Sequence, residues 1–281
     1  MAVTRNIDAG MDPSVVARID ARLLAIRRDH QVSIPLAIES GSRAWGFPSP
    51  DSDYDCRFVF VRPRDHYLSL WQRRDVIETP MDGELDVNGW DLGKAIKLLL
   101  KGNAVIIEWL MSPIAYEVDP GFREEFLSLA RHVADRETIA RHYLHMGERQ
   151  RRVYFGDDKL VPQKKIFYAL RPAAALRWLR HHPGEAVAPM HFPTLLKGCA
   201  APPQVMEIVT DLMVRKKVTR ELGSEPLPAP ILAFIDEEFA RAPDDFALKL
   251  RPVPQEIRDL AQDFFMRMVR RLNPQSKSRQ S

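Results

Sequence analysis

Three aspartates alternate in the stretch PDSDYD, residues 50–55, at the mouth of the apolar run YDCRFVFV (54–61). Gly41-Ser42 stands twelve residues before Asp53. Side chains alternate along a strand, so Asp53 and Asp55 share a face with Arg57, Val59 and Val61, and Tyr54, Cys56, Phe58 and Phe60 take the other. At about 3.3 Å per residue the two carboxylates stand roughly 6–7 Å apart along the backbone, near enough to converge on one or two cations. Carboxylates at the start of a buried strand repel each other unless a cation or a basic partner compensates. Hard oxygen donors of this kind suit Mg²⁺ or Mn²⁺.

Other readings of the cluster are weaker or incomplete. A solvated turn accounts for Asp51, because Pro-Asp-Ser-Asp is favourable turn chemistry, but leaves Asp55 inside the apolar run unexplained. A calcium loop fails, since its sixth position holds Cys56 instead of glycine and its twelfth holds Arg62 instead of glutamate. Ion pairing of the aspartates with Arg43 or Arg57 is the remaining structural alternative. Gly41-Ser42 favours the metal: a glycine lets the backbone approach a phosphate, and a serine opening the next helix adds a hydroxyl beside free N–H groups. Ahead of an aspartate pair, this describes a place where an NTP meets its metal ion.

These residues need elements to hold them. Residues 12–29 read as a helix, with Asp12 as cap, Pro13 in the first turn and Val15, Val16, Ile19, Leu23 and Leu24 at helical spacing. PLAIES (35–40) and YDCRFVFV read as buried strands, and DVIET and ELDVNGW as a hairpin around Met81-Asp82-Gly83. Residues 91–110 read as a helix capped by Asp91, a Gly-Asn break and a second helix. After Pro113 strand signals fade. GFREEFLSLARHVA, ETIARHYLHMGERQRRVYF, QVMEIVTDLMVRKK and IRDLAQDFFMRMVRRL are helical, and Pro120, Pro172, Pro202, Pro230 and Pro254 are expected near helix starts. The polar end, PQSKSRQS, is expected to fray. The class is therefore α+β: an α/β part over residues 1–115 and a helical part over 116–281, with no strand of five residues or more beyond about 115.

Composition narrows the function classes. A net charge of +3 over 281 residues is too small to identify a nucleic-acid binder. Cys56 and Cys199 are the two cysteines and have no paired spacing, which argues against a disulfide framework and a Cys-rich zinc site. The start MAVTRNIDAG has no signal-like apolar region, and the stretch 95–112 is broken by Lys97, Lys101, Asn103 and Glu108. A soluble cytoplasmic protein is expected.

The spacing G-S, about ten residues, then D-x-D, between two strands, resembles the signature of the DNA polymerase β-like nucleotidyltransferase superfamily. GSRAWGFPSPDSDYDCRFVFV followed by LDVNGWDLGKAIKLLLKGNAVIIEWLMSP is closer still to the bacterial RlaP-type family, predicted nucleotidyltransferases linked to RNA repair. The resemblance is strong over 36–113 and weaker over 160–180; Ala104 stands where the family pattern suggests proline. It implies a small mixed sheet carrying the site, a helical C-terminal domain closing over the nucleotide, and two-metal nucleotidyl transfer. A third carboxylate is then required. Asp91 is explained as a helix cap, and strand period alone does not separate Glu84 from Asp86. The family pattern places the acid just before GWDL-K and so favours Asp86.

Residues 141–180 hold ten Lys or Arg against three acids, among them Arg149, Arg151, Arg152, Lys164, Lys165 and Arg171. Most such runs are solvated helix faces. KKIFYALR, however, aligns with a basic helix of the family, and Lys164, Tyr168 and Arg171 share a helical face that could meet a triphosphate. His142 and His145 lack a third ligand nearby in sequence, so zinc is not indicated. Trp45 reads as a core or hinge aromatic. The basic end, with Arg267, Arg270, Arg271, Lys277 and Arg279, either binds RNA or only solubilises the terminus.

The expected reaction moves a nucleoside monophosphate from an NTP to a hydroxyl acceptor, an RNA end first among the candidates, and releases pyrophosphate. Asp53 and Asp55 would hold the metal on the triphosphate and share a second ion with Asp86, which would also accept the acceptor's proton. Gly41 and Ser42 would fix phosphates, and Arg43 or Arg171 would offset developing charge. The alternative is a catalytically weak antitoxin-like or RNA-binding module of the same fold, disfavoured by the intact acidic trio.

Overall fold

The computed structural model describes residues 3–71, 73–155, 160–219, 223–249 and 251–273. A short strand β1 (Thr4–Asn6) precedes helix α1 (Pro13–His30), where Asp12 accepts the Ser14 N–H as an N-cap. Strand β2 (Ser33–Glu39) runs into the five-residue helix α2 (Gly41–Trp45), and β3 (Tyr54–Val61) returns antiparallel to β2. Helix α3 (Arg64–Tyr67) leads to β4 (Val76–Glu78) and β5 (Leu85–Asp91), the expected hairpin. Asp91 and Asn103 cap α4 (Leu92–Leu100) and α5 (Ala104–Met111), each accepting the N–H two residues on.

β1 escaped the sequence reading, and so did a later strand of the same sheet. β6 (Ala115–Val118) pairs with β1 and β2, so the sheet, in the order β1-β6-β2-β3-β5-β4, extends past residue 115. Its Ala-Tyr-Glu-Val is too short for period to show, and its burial depends on pairing with distant β2. Helices then dominate: α6 (Pro120–Val133), α7 (Arg136–Tyr154), α8 (Gln163–His181), α9 (Phe192–Gly198), α10 (Pro203–Val218), α11 (Ala229–Asp245) and α12 (Gln255–Leu272). Two three-residue strands, β7 (Leu160–Pro162) and β8 (Ser224–Pro226), pair with each other. Among the described residues no strand beyond 115 therefore exceeds four. Pro172 lies inside α8 and not at its start; lacking an N–H, it cannot donate to the Tyr168 carbonyl one turn back.

The two faces of β3 separate two cores, as alternation requires. Tyr54, Cys56, Phe58 and Phe60 pack with Ile19 and Leu23 of α1. Val59 and Val61 join Leu36 and Ile38 in a larger core that continues through Phe167 of α8 to Phe264 of α12. The helical part thus rests on the sheet face that carries Asp55. At the chain end, Arg267 and Arg271 pair with Glu125 of α6, while Lys277 and Arg279 lie outside the described residues.

Candidate active site

Asp55 is held by its backbone on both sides. Its N–H donates to Glu39 Oε1 at 2.9 Å, and its carbonyl accepts the Ser40 N–H at 2.9 Å. Glu39 is fully buried and also accepts the Tyr116 hydroxyl; burial pushes its carboxyl up to about 8. Gly41 has φ of +63°, and a Cβ there would lie 2.1 Å from Asp55 Oδ2. Glycine serves both needs, the left-handed backbone and the room for the carboxylate. Burial first, then the charges of Asp86 and Asp53, raise Asp55 above the ordinary carboxylate range, against the opposing pull of Arg57.

The parallel ladder between β3 and β5 sets Asp55 opposite Asp86. Between their carboxylates stands Arg57: its Nη2 donates to Asp55 Oδ1 at 2.9 Å and to Asp86 Oδ2 at 2.7 Å. Its Nη1 donates to the carbonyls of Asp86 at 3.0 Å and Cys56 at 3.2 Å. Asn88 Nδ2 donates to Asp86 Oδ1 at 2.5 Å. Glu84 lies in the turn before β5 and pairs with Arg18 of α1 at 2.8 Å, which separates the two acids that period alone left equal. Asp91, at the far end of β5, caps α4 and accepts the Tyr67 hydroxyl at 2.8 Å.

Asp53 lies just before β3, exposed, and Asp53, Asp55 and Gly41 line one cavity of about 450 Å³. Its other walls include Ser42, Trp45 and Ser52 from the sheet side and Lys164, Lys165 and Tyr168 of α8 with Lys216 of α10. Ser42 Oγ donates to Ser52 Oγ at 2.9 Å, and Ser52 Oγ accepts the Ser49 N–H at 2.8 Å. Lys164 bonds Asp51 at 2.5 Å, and Lys165 Nζ lies 4.9 and 4.8 Å from the ring centroids of Tyr154 and Tyr168. Lys216 is buried, donates to the Phe47 carbonyl at 2.6 Å and is pushed down to about 8 by burial. Its place could not be read from sequence, where it belongs to the basic end of an ordinary amphipathic helix.

Two expected residues point elsewhere. Arg171 is buried, bonded to Glu108 at 2.7 Å and stacked on Trp45 at 4.3 Å, so it supports the cavity wall from behind and does not face the cavity. Arg43 stacks on Tyr54 at 3.9 Å and donates to the carbonyls of Ser52 and Asp53, bracing the aspartate loop. It lines a larger cavity of about 1460 Å³ across residues 46–52, with Met206 and Lys217 of α10. Helical spacing placed Arg171 on the face of Lys164, but Pro172 and the Glu108 partner draw that end of the face into the core.

Among the described residues no group of three His, Cys, Asp or Glu side chains is arranged to hold a metal ion. Arg57 divides the expected trio. The donors that remain beside the cavity, Asp53 and the Asp55 Oδ2 next to Gly41, are hard oxygens that fit one divalent cation.

A family model described as "RlaP: RNA repair pathway DNA polymerase beta family" matches residues 15–267. The chain is also 38% identical over 224 residues to "Uncharacterized protein YcgL" of Bacillus subtilis (strain 168), covering 80% of this chain and 85% of that protein.

Proposed function

The chain belongs to the RNA repair pathway DNA polymerase beta family, and from that premise we propose that it transfers a nucleoside monophosphate from an NTP to a hydroxyl acceptor, an RNA end first among them. The observation that carries the reading is the cavity in which Asp53 and Asp55 of one wall face Lys164, Lys165 and Lys216 of the other. Acidic oxygens opposite ammonium groups suit a metal–triphosphate complex, which is cationic at one end and anionic at the other.

Asp53 and Asp55 hold the divalent ion, which supplies charge neutralisation on the triphosphate when bound. Lys164 and Lys165 meet the terminal phosphates, and the Ser42 and Ser52 hydroxyls lie on the same wall to donate to phosphate oxygens. Trp45 and Tyr168 give that cavity an aromatic side against which a base can rest. In the transfer the acceptor hydroxyl gives up its proton to solvent, its oxygen bonds to the α-phosphorus, the bond from that phosphorus to the bridging β-phosphate oxygen breaks, and pyrophosphate leaves with its charge toward the lysines.

The test is incubation of the full chain with each α-labelled NTP, Mg²⁺ or Mn²⁺ and total RNA. Metal-dependent label on RNA, lost in Asp53→Asn, is the expected result. Nucleotide binding that is equal in EDTA, with no label on RNA, protein or small molecule, would overturn the reading in favour of a binding module.

A further inference from the structure

We infer that Arg57 is the second cation of this site: its guanidinium, and not a second metal ion, holds Asp55 and Asp86 together, so the chain binds one divalent ion through Asp53 and Asp55. This deepens the nucleotidyltransferase reading and rests on it. Arg57 has four acceptors, two on each Nη. Nη2 spans the carboxylates at 2.9 and 2.7 Å, while Nη1 is fastened to main-chain carbonyls on two neighbouring strands. A carboxylate can rotate away; the carbonyls of Cys56 and Asp86 are fixed by the β3–β5 ladder. The planar fork of arginine suits such a simultaneous grip, and its charge persists at any working pH.

Both carboxylate oxygens of Asp86 are already engaged. Oδ2 takes Arg57 and Oδ1 takes Asn88. An ion placed between Asp55 and Asp86 would have to displace Nη2 from both carboxylates, and a guanidinium kept in place by its Nη1 bonds would repel it at short range. Asp86 itself lies outside the residues lining the cavity, whereas Arg57 lines it beside Asp53 and Asp55. Asp86 is therefore a positioning residue: it aims Arg57, and Arg57 presents its charge to the cavity. A strand arginine two residues after the D-x-D pair thus supplies positive charge at the place where a second ion would otherwise sit between the two carboxylates.

The experiment counts ions. The full chain is dialysed to equilibrium against Mn²⁺ and a non-hydrolysable NTP, and manganese and nucleotide bound per chain are measured. One Mn²⁺ per bound nucleotide is expected for the wild type and, with affinity within about twofold, for Asp86→Asn. Arg57→Met should gain a second Mn²⁺, and the double variant with Asp86→Asn should lose it again. Two Mn²⁺ in the wild type, or loss of one in Asp86→Asn, would overturn the inference. Should Arg57→Met fail to fold, Asp86→Asn alone still decides. Failure of the parent reading looks different: the wild type would then bind nucleotide without any manganese, and Asp53→Asn would change nothing.

Discussion

The buried carboxyl of Glu39 accepts the backbone N–H of Asp55 at 2.9 Å, so the residue that ends β2 sets the position of the carboxylate that opens β3. Burial pushes Glu39 from 4.5 up to about 8. Between these values the folded chain keeps a proton that the unfolded chain releases, so stability falls as pH rises from about 4.5 toward 8 and levels off above. At about 1.4 kcal/mol for each pH step of one across that interval, the loss is on the order of 5 kcal/mol. Glu39→Gln, which can still accept the Asp55 N–H, should remove that slope. Urea unfolding at pH 5, 6.5 and 8 checks it; parallel wild-type and variant profiles would refute the account.

Gly41 and Gly83 form an internal control. Both have positive φ, +63° and +62°, but an added Cβ meets Asp55 Oδ2 at Gly41 and nothing within 4 Å at Gly83. Each alanine variant should lose roughly 1–2 kcal/mol to the left-handed backbone. Only Gly41→Ala should also weaken Mn²⁺-dependent nucleotide binding, by at least about tenfold, because Asp55 must turn away. Equal binding in the two variants would mean that Asp55 Oδ2 takes no part in holding the ion.

The legible parts of this chain were those whose signals are local. Asp12 and Asp91 cap the helices that follow them, Gly102-Asn103 marks the break between α4 and α5, and the alternation in YDCRFVFV sorts Val59 and Val61 from Phe58 and Phe60 into separate cores. What stayed hidden depends on distant partners. β6 is four residues long and takes its identity from β2. Glu39 reads as a polar residue ending a strand until Tyr116, 77 residues away, closes over it. Arg57 was visible as an ion-pair partner, but its bridge to Asp86 exists only through the β3–β5 register. Lys216 reaches the site from α10, where sequence shows only a helix end.

The acids of β5 should separate cleanly. Glu84 is half-buried and paired with Arg18 at the surface, so Glu84→Gln should change stability little and leave label transfer unchanged. Asp86→Asn frees Arg57 from one carboxylate and should slow turnover roughly 10²-fold, about 2.7 kcal/mol at 1.36 kcal/mol per decade, with nucleotide KM little altered. Rates of both variants at saturating NTP give the answer. A dead Glu84→Gln would show that the reacting end of the site lies in the turn before β5.

Lys164 and Arg171 were expected to act together on a triphosphate, and their environments now predict opposite outcomes. Lys164 is partly exposed at the cavity rim, with Asp51 as its partner. Lys164→Ala should weaken NTP binding about tenfold, the equivalent of about 1.4 kcal/mol. Nucleoside monophosphate binding should barely move, because the lost contact is to terminal phosphates. Arg171 is buried against Glu108, whose other partner is the Tyr143 hydroxyl at 3.4 Å. Arg171→Met leaves the Glu108 carboxylate buried without its counter-charge, a loss of about 3–5 kcal/mol. For a chain of this size that lowers Tm by on the order of 10 °C. Nucleotide affinity measured well below that Tm should stay within about twofold of wild type. Calorimetric titration with NTP and NMP, beside thermal melts of both variants, distinguishes the two roles. If Arg171→Met kept its Tm and lost NTP affinity, the guanidinium would belong to the phosphate site after all and its pairing with Glu108 would have to open on binding.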